Sequence, residues 1–215
     1  MTAVATTPTS RLPAAERRRQ LLDVSVELFA ERGFDGTSMA DLAEAAGVTK
    51  PVLYQHFRSK RALYSELLEE VSHLLVHDVE KAAATAEGPH AQVRAGFAAY
   101  FRFVDQRRSA FQLLFLGDSR HDRVLTAAVD QLEAAMADAI APLIEAGIGP
   151  KQRRQLAMAL IGMAEATGRR ALIDDDLVGP DGLEAMAGRL AELAWSGLRG
   201  IRPEVGPGPV AETAP

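Results

Sequence analysis

The chain has no cysteine among its 215 residues, which excludes disulfide staples, thiolate metal sites and cysteine nucleophiles. It holds a single tryptophan, and β-branched runs of strand length are scarce. No apolar stretch approaches the ~18 residues of a membrane span, and no basic, apolar and small-residue leader opens the sequence. These absences set the expectation of a cytoplasmic location. Strong positive charge is missing too: the net charge is −5, and an acidic body repels phosphate. The imbalance is uneven, however. Residues 1–60 carry 8 Lys and Arg against 7 Asp and Glu, while residues 61–215 carry 16 against 22. The acidic excess therefore lies in the later part of the chain.

What is abundant is alanine and leucine at helical spacing, so the fold class is all-α with about nine helices. Residues 1–12 are Thr/Pro-rich and read as a disordered arm, and residues 202–215 as a disordered Pro/Gly-rich tail. Between them the periodicity predicts helices over about 14–32, 39–46, 50–57, 59–86, 90–107, 109–117, 120–146, 151–173 and 181–200. Gly33 ends the first. Ser38 followed by Asp41 resembles a capping box for the second, Thr49 caps the third with Pro51 tolerated in its first turn, and Ser59 opens the fourth. This divides the chain into a three-helix module over 13–60 and a helical body over 61–201.

The module is the informative part. Leu42, Ala46, Val48 and Leu53 supply apolar contacts between two short helices. Ala43 is small where the second helix crosses, and Gly47 is expected where a Cβ would clash. Leu53 and Phe57 point inward one turn apart, which leaves Thr49, Lys50, Val52, Tyr54, Gln55 and His56 facing outward. Two crossed helices with such a polar face form a helix-turn-helix, whose second helix enters the DNA major groove. A plain corner in a helical bundle would share the apolar pattern but not the flanking residues.

Those flanking residues run Thr37-Ser38-Met39, Asp41-Leu42-Ala43 and then Gly47-Val48-Thr49-Lys50-Pro51-Val52-Leu53-Tyr54-Gln55-His56-Phe57-Arg58-Ser59-Lys60. The pattern closely resembles the TetR (tetracycline-repressor-like) family of bacterial transcriptional regulators, over residues 14–63 or so. The resemblance implies phosphate contacts from Thr37, Ser38, Lys50, Tyr54, His56 and Lys60, and base contacts from Thr49, Lys50, Pro51 and Gln55. Arg17 could add a phosphate contact from the first helix. Arg61 departs from the family, which often has an acidic residue there. His56 could equally be bonded within the module, and Arg18 and Arg19 read as exposed helix residues.

The body carries no motif. Six of the twelve aromatics fall between Phe97 and Phe115, and core packing explains most of them. The family resemblance implies an apolar ligand pocket in this region, for which Phe97, Tyr100, Phe101, Gln112, Phe115, Met136, Met163 and Thr167 are the candidates. It also implies a two-fold homodimer formed by the last two helices, with Leu156, Leu160, Ala164, Leu183, Met186, Leu190 and Ala194 at the interface. His73 and His77 share the i, i+4 spacing of a metal pair, but no third ligand stands beside them. Asp174-Asp175-Asp176 reads as a solvated loop. No cofactor is implied.

These readings lead to a dimeric regulator, in the sense of a repressor, released from a palindromic double-stranded DNA operator by a small apolar ligand. The rival reading is a helical enzyme or carrier for an apolar molecule, with the corner serving only as packing. No Ser/His/Asp, paired-carboxylate or Gly-rich phosphate arrangement supports catalysis. A protein-interaction adaptor using the Thr49–Lys60 face is the third.

Overall fold

A computed structural model of the chain describes residues 13–116, 123–144, 147–174, 178 and 181–201. The two expected tails, and Asp175 and Asp176 of the acidic run, lie outside the described residues. Among the described residues there are nine α-helices and no strand. They are α1 Ala14–Arg32, α2 Met39–Ala45, α3 Lys50–His56, α4 Lys60–Thr85, α5 Pro89–Gln106, α6 Arg108–Phe115, α7 Arg123–Ile140, α8 Pro150–Ala171 and α9 Gly182–Arg199. No helix among them is long and apolar enough to cross a membrane.

The helix ends follow from side-chain chemistry. Ser38 Oγ accepts from the amides of Ala40 and Asp41, each at 3.2 Å, while the Ser38 amide donates to Asp41 Oδ2 at 2.8 Å. This is the reciprocal capping box that the sequence suggested, and it satisfies amides at the start of α2 that have no partner within the helix. Ser59 Oγ accepts from the Ala62 amide at 3.1 Å and caps α4 in the same manner. Pro89 and Pro150 occupy first-turn positions in α5 and α8, where a missing amide hydrogen costs nothing. Helix α7 is shorter than the expected 120–146. Pro142 lacks the amide hydrogen that a continuing helix needs, and the chain passes into a 3-10 turn at Ala141–Leu143.

The capping box also makes a prediction. Hydrogen bonds from the Ser38 side chain, then from its backbone, hold the Asp41 carboxyl below the usual carboxylate range. A carboxyl depressed in the folded state contributes stability above its unfolded value, and that stability is lost as pH falls through the folded value. Ser38→Ala should cost about 1 kcal/mol and should flatten the acid limb of a melting-temperature profile. Thermal melts of both proteins between neutral and acid pH check this, and parallel profiles would refute it.

Helix α1 packs on α2 and α4, and α2 on α3; in this module Leu21, Phe29, Leu42, Leu53, Phe57, Leu63 and Tyr64 are all buried. Helix α4 then continues into the body. Its buried residues Leu67, Leu68, Val71, Leu75, Val79 and Ala83 recur every three to four positions, giving one inward stripe along 26 residues. Against that stripe lie α5 and α7. Helix α9 packs on α5, α8 on α7, and α6 on α1, so the buried side chains form one continuous core. Gly168 marks a close approach of α8 to α5 and α6: a Cβ there would sit 3.0 Å from Phe111 Cζ and 3.4 Å from Tyr100 Cε1.

Candidate nucleic-acid interface and ligand cavity

Helix α3 is anchored on one side only. Leu53 and the following Phe57 are buried, while Thr49, Lys50, Pro51, Tyr54 and Gln55 are exposed. Tyr54 is 50% exposed, and Leu53 beside it is fully buried. Gly47 has φ 65°, and a Cβ built on it meets nothing within 4 Å. The glycine is therefore required by the left-handed turn between α2 and α3 and not, as the sequence suggested, by a clash. Thr49 stands at the start of α3 but its side chain makes no capping hydrogen bond. Its hydroxyl is left facing out with the basic and amide groups of the helix.

Other expected contacts are placed differently. Thr37 is 1% exposed, and its hydroxyl donates to Gly33 O at 2.8 Å. It bridges the loop after α1 and has no side-chain surface to offer. Lys60 Nζ donates to Phe34 O at 2.6 Å and Thr37 O at 2.8 Å, and lies 4.1 Å from the Phe34 ring centroid. Its charge closes the loop between α1 and α2, where two carbonyl oxygens and a ring face would otherwise converge without a cation. Ser38 is exposed but its hydroxyl is engaged by the cap, donating to Asp41 Oδ2 at 2.6 Å. Among the described residues the Arg17 side chain donates to Gln20 Oε1 at 2.7 Å. His56 is half-buried, with its ring 6.5 Å from that of Phe57.

Sequence reading missed one structural cation and one exposed cation. Arg18, expected to be an exposed helix residue, donates to His56 O at 3.0 Å, pairs with Glu66, and covers the Phe57 ring at 4.4 Å. It thus ties α1 to the end of α3 and to α4. The signal was present: Arg18 precedes the buried Leu21, Leu22 and Ser25 by three, four and seven positions, and so shares their face. Arg58 is exposed between α3 and α4, beside the outward face.

The body encloses an apolar cavity of about 250 Å³. Val79 and Ala83 of α4 form one wall, and Val93, Gly96, Phe97 and Tyr100 of α5 another. Met136 and Ile140 of α7, with Leu143 and Ile144, close it on a third side. Leu160, Ile161 and Ala164 come from α8, and Trp195, Leu198 and Arg199 from α9. Phe97, Tyr100 and Met136 therefore lie where the sequence suggested. The other candidates do not. Phe101 is buried away from the cavity, Gln112 borders a separate polar cleft beside Gly33 and Phe34, and Phe115 packs 4.7 Å from Phe111. Met163 and Thr167 are half-buried on α8, rotated off the face that carries Leu160, Ile161 and Ala164.

The same rotation revises the expected interface. Ala164, Met186 and Ala194 are buried within the single chain, and Leu160 and Ala164 line the cavity. Leu156, Leu183 and Leu190 are half-buried against the core. The faces left open are Gln155, Met158, Gly162 and Ala166 on α8, and Arg189, Leu193, Ser196 and Gly197 on α9. Met158 and Leu193 are 50% and 63% exposed. His73 and His77 are exposed, and among the described residues no group of three His, Asp or Glu side chains is placed to hold a metal ion.

With this geometry in view, comparison with known proteins is direct. Residues 21–67 match the family model described as bacterial regulatory proteins, tetR family, and residues 89–197 match the tetracyclin repressor-like C-terminal domain. The HTH-type transcriptional activator FasR of Mycolicibacterium smegmatis is 34% identical over 191 residues, covering 88% of this chain and 86% of FasR. A TetR-like transcriptional regulator from Rhodococcus sp. RHA1 is 28% identical with a TM-score of 0.70, over 88% of this chain and all of that one. The FadR regulator of Bacillus subtilis, solved in complex with stearoyl-CoA, shares the fold at a TM-score of 0.70 and 17% identity. That match covers 83% of this chain and 98% of FadR.

Proposed function

Because the chain belongs to the TetR family of bacterial regulatory proteins, we propose that it works as a homodimer whose paired α3 helices bind a palindromic operator. A small apolar ligand in the body cavity releases it. The observation that carries this reading is the outward face of α3. Lys50, Tyr54, Gln55 and Thr49 stand exposed on a helix whose opposite side is locked by Leu53 and Phe57. Lys50 supplies charge to phosphate, Gln55 can pair with a base edge in the major groove, and the Tyr54 hydroxyl donates to the backbone. Arg58 extends the cationic rim.

Helix α4 supplies the link between the two functions. Its first turn holds the loop before α2 through Lys60, and its distal part, at Val79 and Ala83, is a cavity wall. The 19 intervening steps span about 28 Å at helical rise. A ligand that spreads the cavity walls tilts α4 as a rigid rod and carries the attached module with it. Operator half-sites are fixed by DNA geometry, so a shift of a few ångströms breaks contacts on one half-site. That the similarly folded B. subtilis FadR was solved in complex with stearoyl-CoA supports a ligand with an acyl chain. Release would lift repression where the operator overlaps a promoter, and would end activation where it lies upstream of one.

Selection of duplexes from a random pool should yield a palindrome with half-sites one helical turn or more apart. Filling the cavity with Leu160→Trp should leave that binding intact but abolish its sensitivity to apolar ligands, read by band shift. A pool that returns no palindrome, or a variant that still responds, overturns the reading.

A further inference from the structure

The cavity's polar groups are unevenly distributed. Gln92 and Trp195 are half-buried and Arg199 is exposed, which places them on the open side. Phe97, Met136, Ile161 and Ala164 are buried and apolar and line the closed side. One polar residue interrupts that closed side. Tyr100 is 3% exposed, and its hydroxyl is buried without a hydrogen-bond partner among the described residues. Buried tyrosine hydroxyls nearly always have one, because desolvating an O–H without a partner is costly.

The ring has little freedom to move in search of a partner. Phe101 and Phe111 meet it edge-on, with centroids at 5.7 and 6.0 Å. Gly168 lets α8 approach so closely that even a Cβ would touch the Tyr100 ring. The nearest charged groups on α8 are engaged with each other: Arg169 pairs with Glu165 at 3.5 Å. Burial first, and then the negative charge of Glu165, push the Tyr100 hydroxyl well above its ordinary range, so it stays a donor.

We infer that Tyr100 is the specificity-determining polar contact of the cavity, donating its O–H to a neutral acceptor (a ketone, ester or hydroxyl oxygen) on an otherwise apolar ligand. A carboxylate beside the Tyr100 hydroxyl would feel the negative charge of Glu165 and Glu133 and be disfavoured. A pure hydrocarbon would leave the hydroxyl unpaired. Met136, unbranched and flexible, is the wall residue best able to yield as a ligand oxygen approaches. The inference rests on the cavity being the ligand site, as proposed above.

Trp195 is the sole tryptophan and lines the cavity, so its emission reports occupancy without a label. The full-length protein is titrated with methyl octyl ketone, decane and decanoate. The wild type should bind the ketone about tenfold more tightly than decane, the ratio a single well-made hydrogen bond gives, and should bind decanoate more weakly than the ketone. Tyr100→Phe should erase the ketone's advantage, leave decane unchanged, and melt no lower than the wild type, since it removes an unpaired group. A ketone and decane that bind equally to the wild type would overturn this inference alone. So would a lower melting temperature in the variant, which would show that the hydroxyl is satisfied in the free protein. A Trp195 signal that ignores all three compounds would overturn the ligand-site reading as well.

Discussion

Lys50→Ala combined with Tyr54→Phe is expected to weaken operator binding by on the order of 100-fold, the sum of a missing phosphate charge and a missing hydroxyl donor in each half-site. Both side chains are exposed, and among the described residues neither is held by a hydrogen bond or an ion pair. The melting temperature should therefore stay close to that of the wild type, as surface substitutions usually leave it. Removing one phosphate contact lowers the slope of log affinity against log salt by about one unit. Gln55→Ala should behave differently, relaxing the preference for one base pair while leaving the salt slope alone. Lys60→Ala provides the internal contrast. Its ammonium serves Phe34 O and Thr37 O, so the variant should lose stability as well as affinity. Calorimetry and band shifts over a salt series separate these classes. A double variant of Lys50 and Tyr54 that binds as the wild type does would remove α3 from the interface.

That contrast also shows what the sequence could reveal. The helix-turn-helix was readable because its determinants are local: a cap at Ser38, a left-handed glycine at Gly47, and Leu53 and Phe57 one turn apart. Each acts within a few residues of its own position. Thr37 and Lys60 were misjudged because both sit beside true surface residues and resemble them in chemistry. Only the folded loop decides that their polar atoms turn inward, and the Lys60 bonds join residues 23 or more apart in sequence.

The body was harder for a different reason. Helix α5 carries large apolar groups at 97, 100, 101, 103 and 104, which spread over nearly half its circumference. Each residue advances the helix by about 100°, so neighbours such as Tyr100 and Phe101 point to different partners. Which of them faces a cavity depends on how α7, α8 and α9 are set around α5, and no local pattern encodes that. Helices α8 and α9 present the same ambiguity, being apolar on two sides. The family resemblance points to the last two helices, with Leu156, Leu160, Leu183 and Leu190 expected to face a partner. Folding instead turns most of them inward and leaves a thinner stripe of Met158, Gly162 and Ala166 beside Leu193, Ser196 and Gly197 outside.

That thinner stripe is a candidate surface for pairing of two copies. Small residues let helices approach closely, and two exposed apolar side chains, Met158 and Leu193, stand among them at 50% and 63% exposure. If two copies pair through this face, each side chain becomes buried against its symmetry mate or a neighbour of it. A charge at either position would then be desolvated twice per dimer. Met158→Glu with Leu193→Glu should raise the dimer dissociation constant by on the order of 100-fold or more, seen by sedimentation as a shift to monomer at micromolar concentration. Operator affinity should fall with it, because the second half-site is bound intramolecularly only while the two modules are tethered, an advantage of about 100- to 10,000-fold. Affinity for an isolated half-site should not change, since α3 lies outside the substituted face. The cavity is likewise untouched, so the Trp195 response to ketone should persist in the monomer. A protein that stays dimeric with both glutamates in place would move the interface to another surface. One that becomes monomeric yet binds the full palindrome undiminished would show that two-fold pairing is not what sets operator affinity.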